Sequence, residues 1–160
     1  MPKILVVYFS ASGVSKQVAK FLSESYGSDL YEIKPKNPYS EADLNWRNRN
    51  SRVSKEIHNR ELRPDLADKN AQIEKYDIIF ISFPIWWYLP PLIIYTFLES
   101  YNFQGKKIIL FPTSHTSGFG KIVSDMKKYV DKTTEIIQGK VSHGNVSKQE
   151  VDNWVKEINL

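Results

Sequence analysis

The sequence predicts an α/β domain in which a parallel sheet is covered by helices on both faces. Short, continuous apolar runs recur along the 160 residues, and amphipathic stretches separate them. Strands that are buried on both faces are apolar throughout, as these runs are. The order strand, helix, strand repeats about five times, which specifies a parallel sheet with helices on both sides. We expect residues 1–160 to form a single domain.

Five segments are expected to form the strands. The clearest are residues 4–9 and 78–83, where the apolar run is unbroken. The remaining strands are expected at residues 29–33, 107–111 and 134–138.

The helices are predicted from apolar residues at helical spacing and from their end signals. Val14, Val18 and Leu22 share one face of a helix that ends near Gly27. Pro90 and Pro91 suit the first turn of a helix that reaches residue 101, and another is expected over 121–130. The last helix opens with a capping box, Ser147 to Glu150, and presents Val151, Trp154, Val155 and Ile158 on one face.

Residues 34–70 are the least regular part of the sequence. Pro35, Pro38 and Pro64 interrupt them, and a basic helix is expected between about residues 41 and 61. Residues 46–63 carry six basic and two acidic side chains, so they account for the whole net charge of +4. A solvated helix face explains such a run, and so does a docking patch for an acidic partner or a phosphate-bearing ligand.

The composition excludes several classes of protein. Hydrophobic residues make up 41% and charged residues 25%, as in ordinary globular domains and unlike disordered chains. The absence of cysteine excludes a disulfide scaffold, thiolate metal sites and thiol catalysis. The apolar runs are too short for a signal peptide or a membrane span, so we expect a soluble, cytoplasmic protein without a membrane partner.

In open parallel sheets, ligands bind beyond the carboxyl ends of the strands, where the strand order reverses. The loop after the first strand, Ser10-Ala-Ser-Gly-Val-Ser15, leads directly into a helix. The free N–H groups and the positive end of the helix dipole favour an anion there, and the serines add hydroxyl donors. An ordinary turn with a serine cap is the structural alternative.

The loop after the third strand, Pro84-Ile-Trp-Trp-Tyr-Leu-Pro-Pro91, contains three consecutive large aromatic residues. Side chains of adjacent residues diverge, so Trp86, Trp87 and Tyr88 cannot all face the core. An exposed indole indicates a ligand or partner that covers it, and a flat ring system would stack on it. A packing cluster or a dimer contact is the alternative.

The loop after the fourth strand, residues 112–120, carries small hydroxyl residues, two glycines and His115. Such groups can hydrogen-bond the edge of a heterocycle without adding charge. The other two histidines lie far from His115 in sequence, so no metal-ligand spacing is present and no metal site is predicted. The first loop thus offers a site for an anion, the second an aromatic platform and the third a neutral polar rim. Together these three features match flavin mononucleotide (FMN).

The same residues resemble those of a known family. The first loop is similar to the S-x-T-G-x-T phosphate loop of flavodoxin-like proteins. Pro84-Ile-Trp-Trp87 with Pro91 resembles the second block of a bacterial group in that family, and residues 113–120 resemble its third block.

This resemblance implies a flavodoxin-like three-layer sandwich, with a five-stranded parallel sheet in the order 2-1-3-4-5, and FMN bound without a covalent link. It implies that the phosphate is held by Ser10, Ser12, Gly13, Val14 and Ser15. The flavin ring would be lined by Pro84, Ile85, Trp86 and Trp87. Its other side would be closed by Thr113, Ser114, His115, Ser117, Gly118 and Gly120.

These features lead to two functional hypotheses. The first is an FMN-binding electron-transfer protein, for which no catalytic residue is needed because the flavin carries the redox chemistry. The second is an FMN-dependent NAD(P)H:quinone or nitro-compound reductase. The partner is accordingly a redox protein or a small molecule of the NAD(P)H or quinone type. Nucleic acid is not expected, since aromatic residues are not interleaved with the basic ones. The protein is expected to be a monomer or a homodimer.

Overall fold

Five parallel strands form one sheet in the computed structural model, which describes residues 1–158 and Leu160. The strands are β1 (Ile4–Tyr8), β2 (Asp29–Glu32), β3 (Ile78–Ser82), β4 (Lys107–Leu110) and β5 (Glu135–Gln138). Their spatial order is 2-1-3-4-5, and every neighbouring pair is parallel. The predicted sheet and its strand order are therefore confirmed.

Helices cover both faces of this sheet. They are α1 (Val14–Tyr26), α2 (Arg52–His58), α3 (Leu92–Ser100), α4 (Ile122–Met126) and α5 (Lys148–Glu157). Alternate residues of β1 and β3 enter two separate cores, one of them built with α3 and α4 and the other with α1 and α5. Burial on both faces is the reason that these strands read as unbroken apolar runs.

The helix ends follow the sequence signals in part. Ser147 caps α5 as expected, and its hydroxyl accepts a hydrogen bond from the Glu150 N–H at 3.1 Å. Pro91 is the residue before α3 and lies outside its first turn. The helix expected at 121–130 is α4 followed by a 3₁₀ turn over Lys127–Tyr129.

The prediction of a long basic helix at 41–61 is wrong. Only α2 forms there, and it begins after Ser51, whose hydroxyl accepts from the Ser54 N–H. Before it, side-chain oxygens of Asn45 and Asn48 accept hydrogen bonds from backbone N–H groups two residues further on. These local bonds compete with the helical ones and keep the segment in turns.

Among the residues that the structure describes, none of the helices combines the length and the apolar composition that a membrane span requires.

The Tyr26 hydroxyl is buried and has no hydrogen-bond partner among the described residues. Burial raises the pKa of Tyr26 from 10.0 to about 12. Tyr26→Phe should raise the free energy of unfolding at neutral pH by about 1 kcal/mol, because an unsatisfied polar group is removed. The gain should grow between about pH 10 and about pH 12, where the unfolded phenol ionises before the folded one and destabilises only the wild type.

Urea unfolding at several pH values measures this difference. Tyr76→Phe is the control, because the Tyr76 hydroxyl donates a hydrogen bond to Asp29 at 2.7 Å, and losing it should destabilise the protein at neutral pH. Equal destabilisation by both substitutions would contradict the expectation.

Candidate functional site

The loops that follow β1, β3 and β4 meet at one edge of the sheet around an open cleft of about 950 Å³. Parallel pairing of these three strands puts their carboxyl ends side by side. Eight of the expected site residues line the cleft: Ser12, Pro84, Ile85, Trp86, Trp87, Ser117, Gly118 and Gly120. The other seven, Ser10, Gly13, Val14, Ser15, Thr113, Ser114 and His115, are outside its lining.

The first loop runs from the cleft lining, at Ser12, into the N-terminus of α1. Gly13 precedes the helix with φ at 96°, a conformation that favours glycine, and its N–H donates to the Ser10 hydroxyl at 3.0 Å. No side chain caps the helix and no acidic residue occupies its first turn. The first N–H groups and the positive dipole end are therefore available to an anion beside Ser12.

A buried pair of hydroxyls fixes the first loop against the third. The hydroxyls of Ser15 and Thr113 lie 2.8 Å apart, and both residues are buried. The backbone of Thr113 also bridges the second loop, since its carbonyl accepts from the Ile85 N–H at 2.9 Å. Ser15 and Thr113 thus connect the three loops from buried positions outside the cleft lining.

The second loop makes a tight turn over residues 86–89. The N–H of Trp86 donates to the carbonyl of Leu89 at 2.9 Å, and the reverse bond measures 3.2 Å. The central residues, Trp87 and Tyr88, have φ values of 52° and 70°. Two positive φ values are typical of the hairpin turns that glycine and asparagine favour, so these aromatic side chains are held in a strained backbone. The sequence offers no turn signal here.

This turn sends the two indoles of the loop to different environments. Trp86 is half-buried, and its ring meets Phe9 edge-on at 5.7 Å and Tyr39 at 5.4 Å between centroids. Trp87 remains 52% exposed and Tyr88 73% exposed. Trp86 therefore forms a fixed wall, whereas Trp87 stands at the mouth of the cleft.

Tyr39 is itself held by two charged partners. The Arg52 guanidinium lies 3.7 Å from the centroid of its ring, and the Tyr39 hydroxyl donates to the buried Glu56 carboxylate. Arg52 also donates to Glu56 at 3.0 Å. Burial and then the bond to Glu56 raise the pKa of Tyr39, so the phenol stays protonated and keeps donating.

The chain from residue 44 to the first turn of α2 supplies cleft residues that the loops alone did not indicate. Leu44, Trp46 and Val53 line the cleft, and the Trp46 ring meets Trp87 edge-on at 6.1 Å. Ala11, Tyr88 and Thr116 complete the lining. The only sequence signal was the isolated aromatic residue at position 46 in a basic stretch.

The third loop contributes a neutral rim. Ser117 and Gly118 line the cleft, and the Ser117 N–H donates to the Ser114 hydroxyl at 3.0 Å. His115 is exposed outside the cleft, where its carbonyl lies 3.2 Å from Nδ1 of His143. Throughout residues 1–158 and Leu160, no three His, Cys, Asp or Glu side chains gather as a metal site.

The fold agrees with the comparison to known families. A sequence profile of flavodoxins matches residues 3–158. The chain belongs to the flavodoxin family. The resemblance seen in the sequence is thereby confirmed at the level of the family.

This flavodoxin is similar to several solved structures. A candidate flavoprotein from Bacteroides eggerthii is 37% identical, with a TM-score of 0.90, over 100% of this chain and 99% of that one. Another, from Bacteroides uniformis, is 36% identical with a TM-score of 0.85 over 97% and 98%. A Lactobacillus acidophilus flavoprotein solved in complex with FMN is 24% identical, with a TM-score of 0.69 over 97% and 99%, and so shares the fold. No curated protein matches the chain.

The strained turn of this flavodoxin yields a stability prediction. Tyr88→Gly should raise the free energy of unfolding by about 1 kcal/mol, because glycine adopts positive φ without strain and the exposed side chain packs little. Tyr88→Ala keeps the Cβ atom and should give no such gain. Denaturant unfolding of both variants is the measurement, and an equal effect of the two substitutions would show that the turn is unstrained.

Proposed function

We propose that this protein binds FMN without a covalent link and acts as an electron carrier. The observation that carries the proposal is a single cleft whose lining joins Ser12, the residue before the N-cap of the uncapped helix α1, to a wall of aromatic side chains. The FMN complex of the Lactobacillus acidophilus protein, which has the same fold, supports this choice of ligand.

The residues of the cleft fit the chemistry of FMN. A volume of about 950 Å³ is within the usual range of small-molecule and cofactor sites. At one end, Ser12 and the first turn of α1 offer uncharged donors to a phosphate. A Cβ atom at Gly13 would meet nothing within 4 Å, so the glycine there serves the backbone conformation and leaves open space for a ligand.

The rest of the cleft suits a planar heterocycle. Trp86 offers a fixed aromatic wall, and Leu44, before α2, and Val53, in its first turn, add apolar surface. The hydrogen bonds within the turn use the N–H groups of Trp86 and Leu89, which leaves its tip free to bond a ring edge. Ser117 and Gly118 would border the opposite side without adding charge.

The surroundings of the cleft favour electron transfer over acid–base catalysis. Bound FMN would supply the redox chemistry, as a flavin takes up electrons and passes them on. The lining residues include no carboxylate, lysine, arginine or histidine that could move a proton. Apolar and indole walls also disfavour added negative charge at the site, which should keep the potential of the last reduction low.

A negative charge placed at the phosphate end of the cleft should weaken the binding of FMN more than that of riboflavin. Ser12→Asp sets a carboxylate beside the helix N-terminus, so FMN should bind about tenfold more weakly, whereas riboflavin, which lacks the phosphate, should be little affected. Asn153→Asp adds the same charge on exposed α5 and should change neither affinity. Equal weakening of both flavins by Ser12→Asp would contradict the assignment of the phosphate end.

The reaction itself distinguishes a carrier from a reductase. Protein loaded with FMN and reduced with dithionite should pass electrons to ferricyanide. The same protein should not oxidise NADPH when a quinone is supplied without an added reductase. Steady NADPH oxidation under those conditions would overturn the carrier proposal in favour of an NAD(P)H:quinone reductase.

A further inference from the structure

A second cavity lies on the other side of the two exposed indoles. It has a volume of about 720 Å³ and shares Trp46 and Trp87 with the cleft. Arg47, Arg49 and His58 also line it, and no carboxylate does. We call this cavity the basic pocket.

The two arginines of the basic pocket lack anionic partners. No carboxylate of the described residues lies within 4 Å of the Arg47 or Arg49 guanidinium. Other arginines of the same stretch are engaged: Arg52 pairs with Glu56, and Arg63 pairs with Glu99. Two arginines of the stretch that lack a carboxylate partner therefore lie together at this pocket.

The side chains around the pocket are arranged to receive a ring that carries an anion. The Arg47 guanidinium lies 5.1 Å from the centroid of the Trp46 ring, so charge and aromatic surface are adjacent. The Trp46 and Trp87 rings stand nearly perpendicular, at 80°, and are 56% and 52% exposed. His58 contacts the Ser54 carbonyl through Nδ1 at 2.7 Å, which leaves Nε2 available to another group.

We propose that the basic pocket binds a planar aromatic molecule bearing a carboxylate, sulfonate or phosphate group. The indoles would pack against the ring, and Arg47 and Arg49 would pair with the anionic group. A concave site of this volume suits a small molecule better than the surface of a protein, which would cover the indoles without filling the cavity. The proposed binding does not require FMN in the cleft. A ligand in the basic pocket would nevertheless contact Trp46 and Trp87, which also line the cleft.

A matched pair of probes tests the charge requirement. Anthraquinone-2-sulfonate and neutral 2-(hydroxymethyl)anthraquinone share one ring system, and their binding to the purified protein is followed by isothermal titration calorimetry. The sulfonate should bind more tightly, and R47Q/R49Q should weaken it about tenfold while leaving the neutral compound within about twofold. K20Q/K69Q removes the same charge from other exposed positions and should change neither affinity.

The cleft is a competing site for an anionic ring, and Ser12→Asp tests it. If the sulfonate occupies the basic pocket, Ser12→Asp should leave its affinity unchanged. Loss of binding in Ser12→Asp but not in R47Q/R49Q would overturn the proposal by placing the probe in the cleft.

Two further results would also overturn it. One is equal weakening of sulfonate binding by R47Q/R49Q and K20Q/K69Q, which would show attraction by net charge alone. The other is no binding of the sulfonate together with tight binding of hexaglutamate that R47Q/R49Q abolishes, which would assign the surface to an acidic protein partner. Since binding is measured by heat, failure of the protein to take up FMN leaves this test intact.

Discussion

Parallel pairing of β1 with β3 and of β3 with β4 is the constraint on which the site depends. It places the ends of three strands at one edge, so the loops that leave them must share a small volume. The chain passes to opposite sides after β1 and β3, which opens a crevice between their loops. The buried Ser15–Thr113 hydroxyl pair then fixes α1 to the third loop. The position of the cleft thus follows from the strand order.

The segment between β2 and β3 converts this crevice into a walled site. Arg52, Tyr39 and Glu56 form a compact group whose charges satisfy one another, and Tyr39 supports Trp86 from behind. Burying an arginine–carboxylate pair is favourable only when its remaining donors and acceptors are satisfied, and here Arg52 also donates to the Asn37 carbonyl. One basic residue of the segment, Arg52, thereby stabilises the fold of the segment itself. Two further basic residues, Arg47 and Arg49, line a separate cavity.

Aromatic residues act in two ways at this edge of the molecule. Trp86 is packed on two sides by other rings and gives the cleft a wall of fixed position. Trp46 and Trp87 contact each other and stand between two cavities, with more than half of each side chain exposed. Exposed indoles beside unpaired arginines are the composition found at the energetic centres of binding surfaces. The strained turn at Trp87 and Tyr88 maintains this exposure, since it directs both side chains away from the core.

The sequence by itself determined the sheet, the two-sided burial of its strands, the cap of α5 and the three loops that border the cleft. These features are encoded locally, because apolar runs and capping residues act within a few positions of one another. Tertiary packing alone decided that Leu44, Trp46 and Val53 join the cleft and that Ser15 bonds Thr113 across 98 positions. Both depend on contacts between segments distant along the chain. The short α2 has a local cause instead, the side-chain bonds of Asn45 and Asn48 to the backbone, which outweigh the charge pattern. The spacing of apolar residues along the sequence indicates neither the long-range contacts nor the side-chain bonds to the backbone.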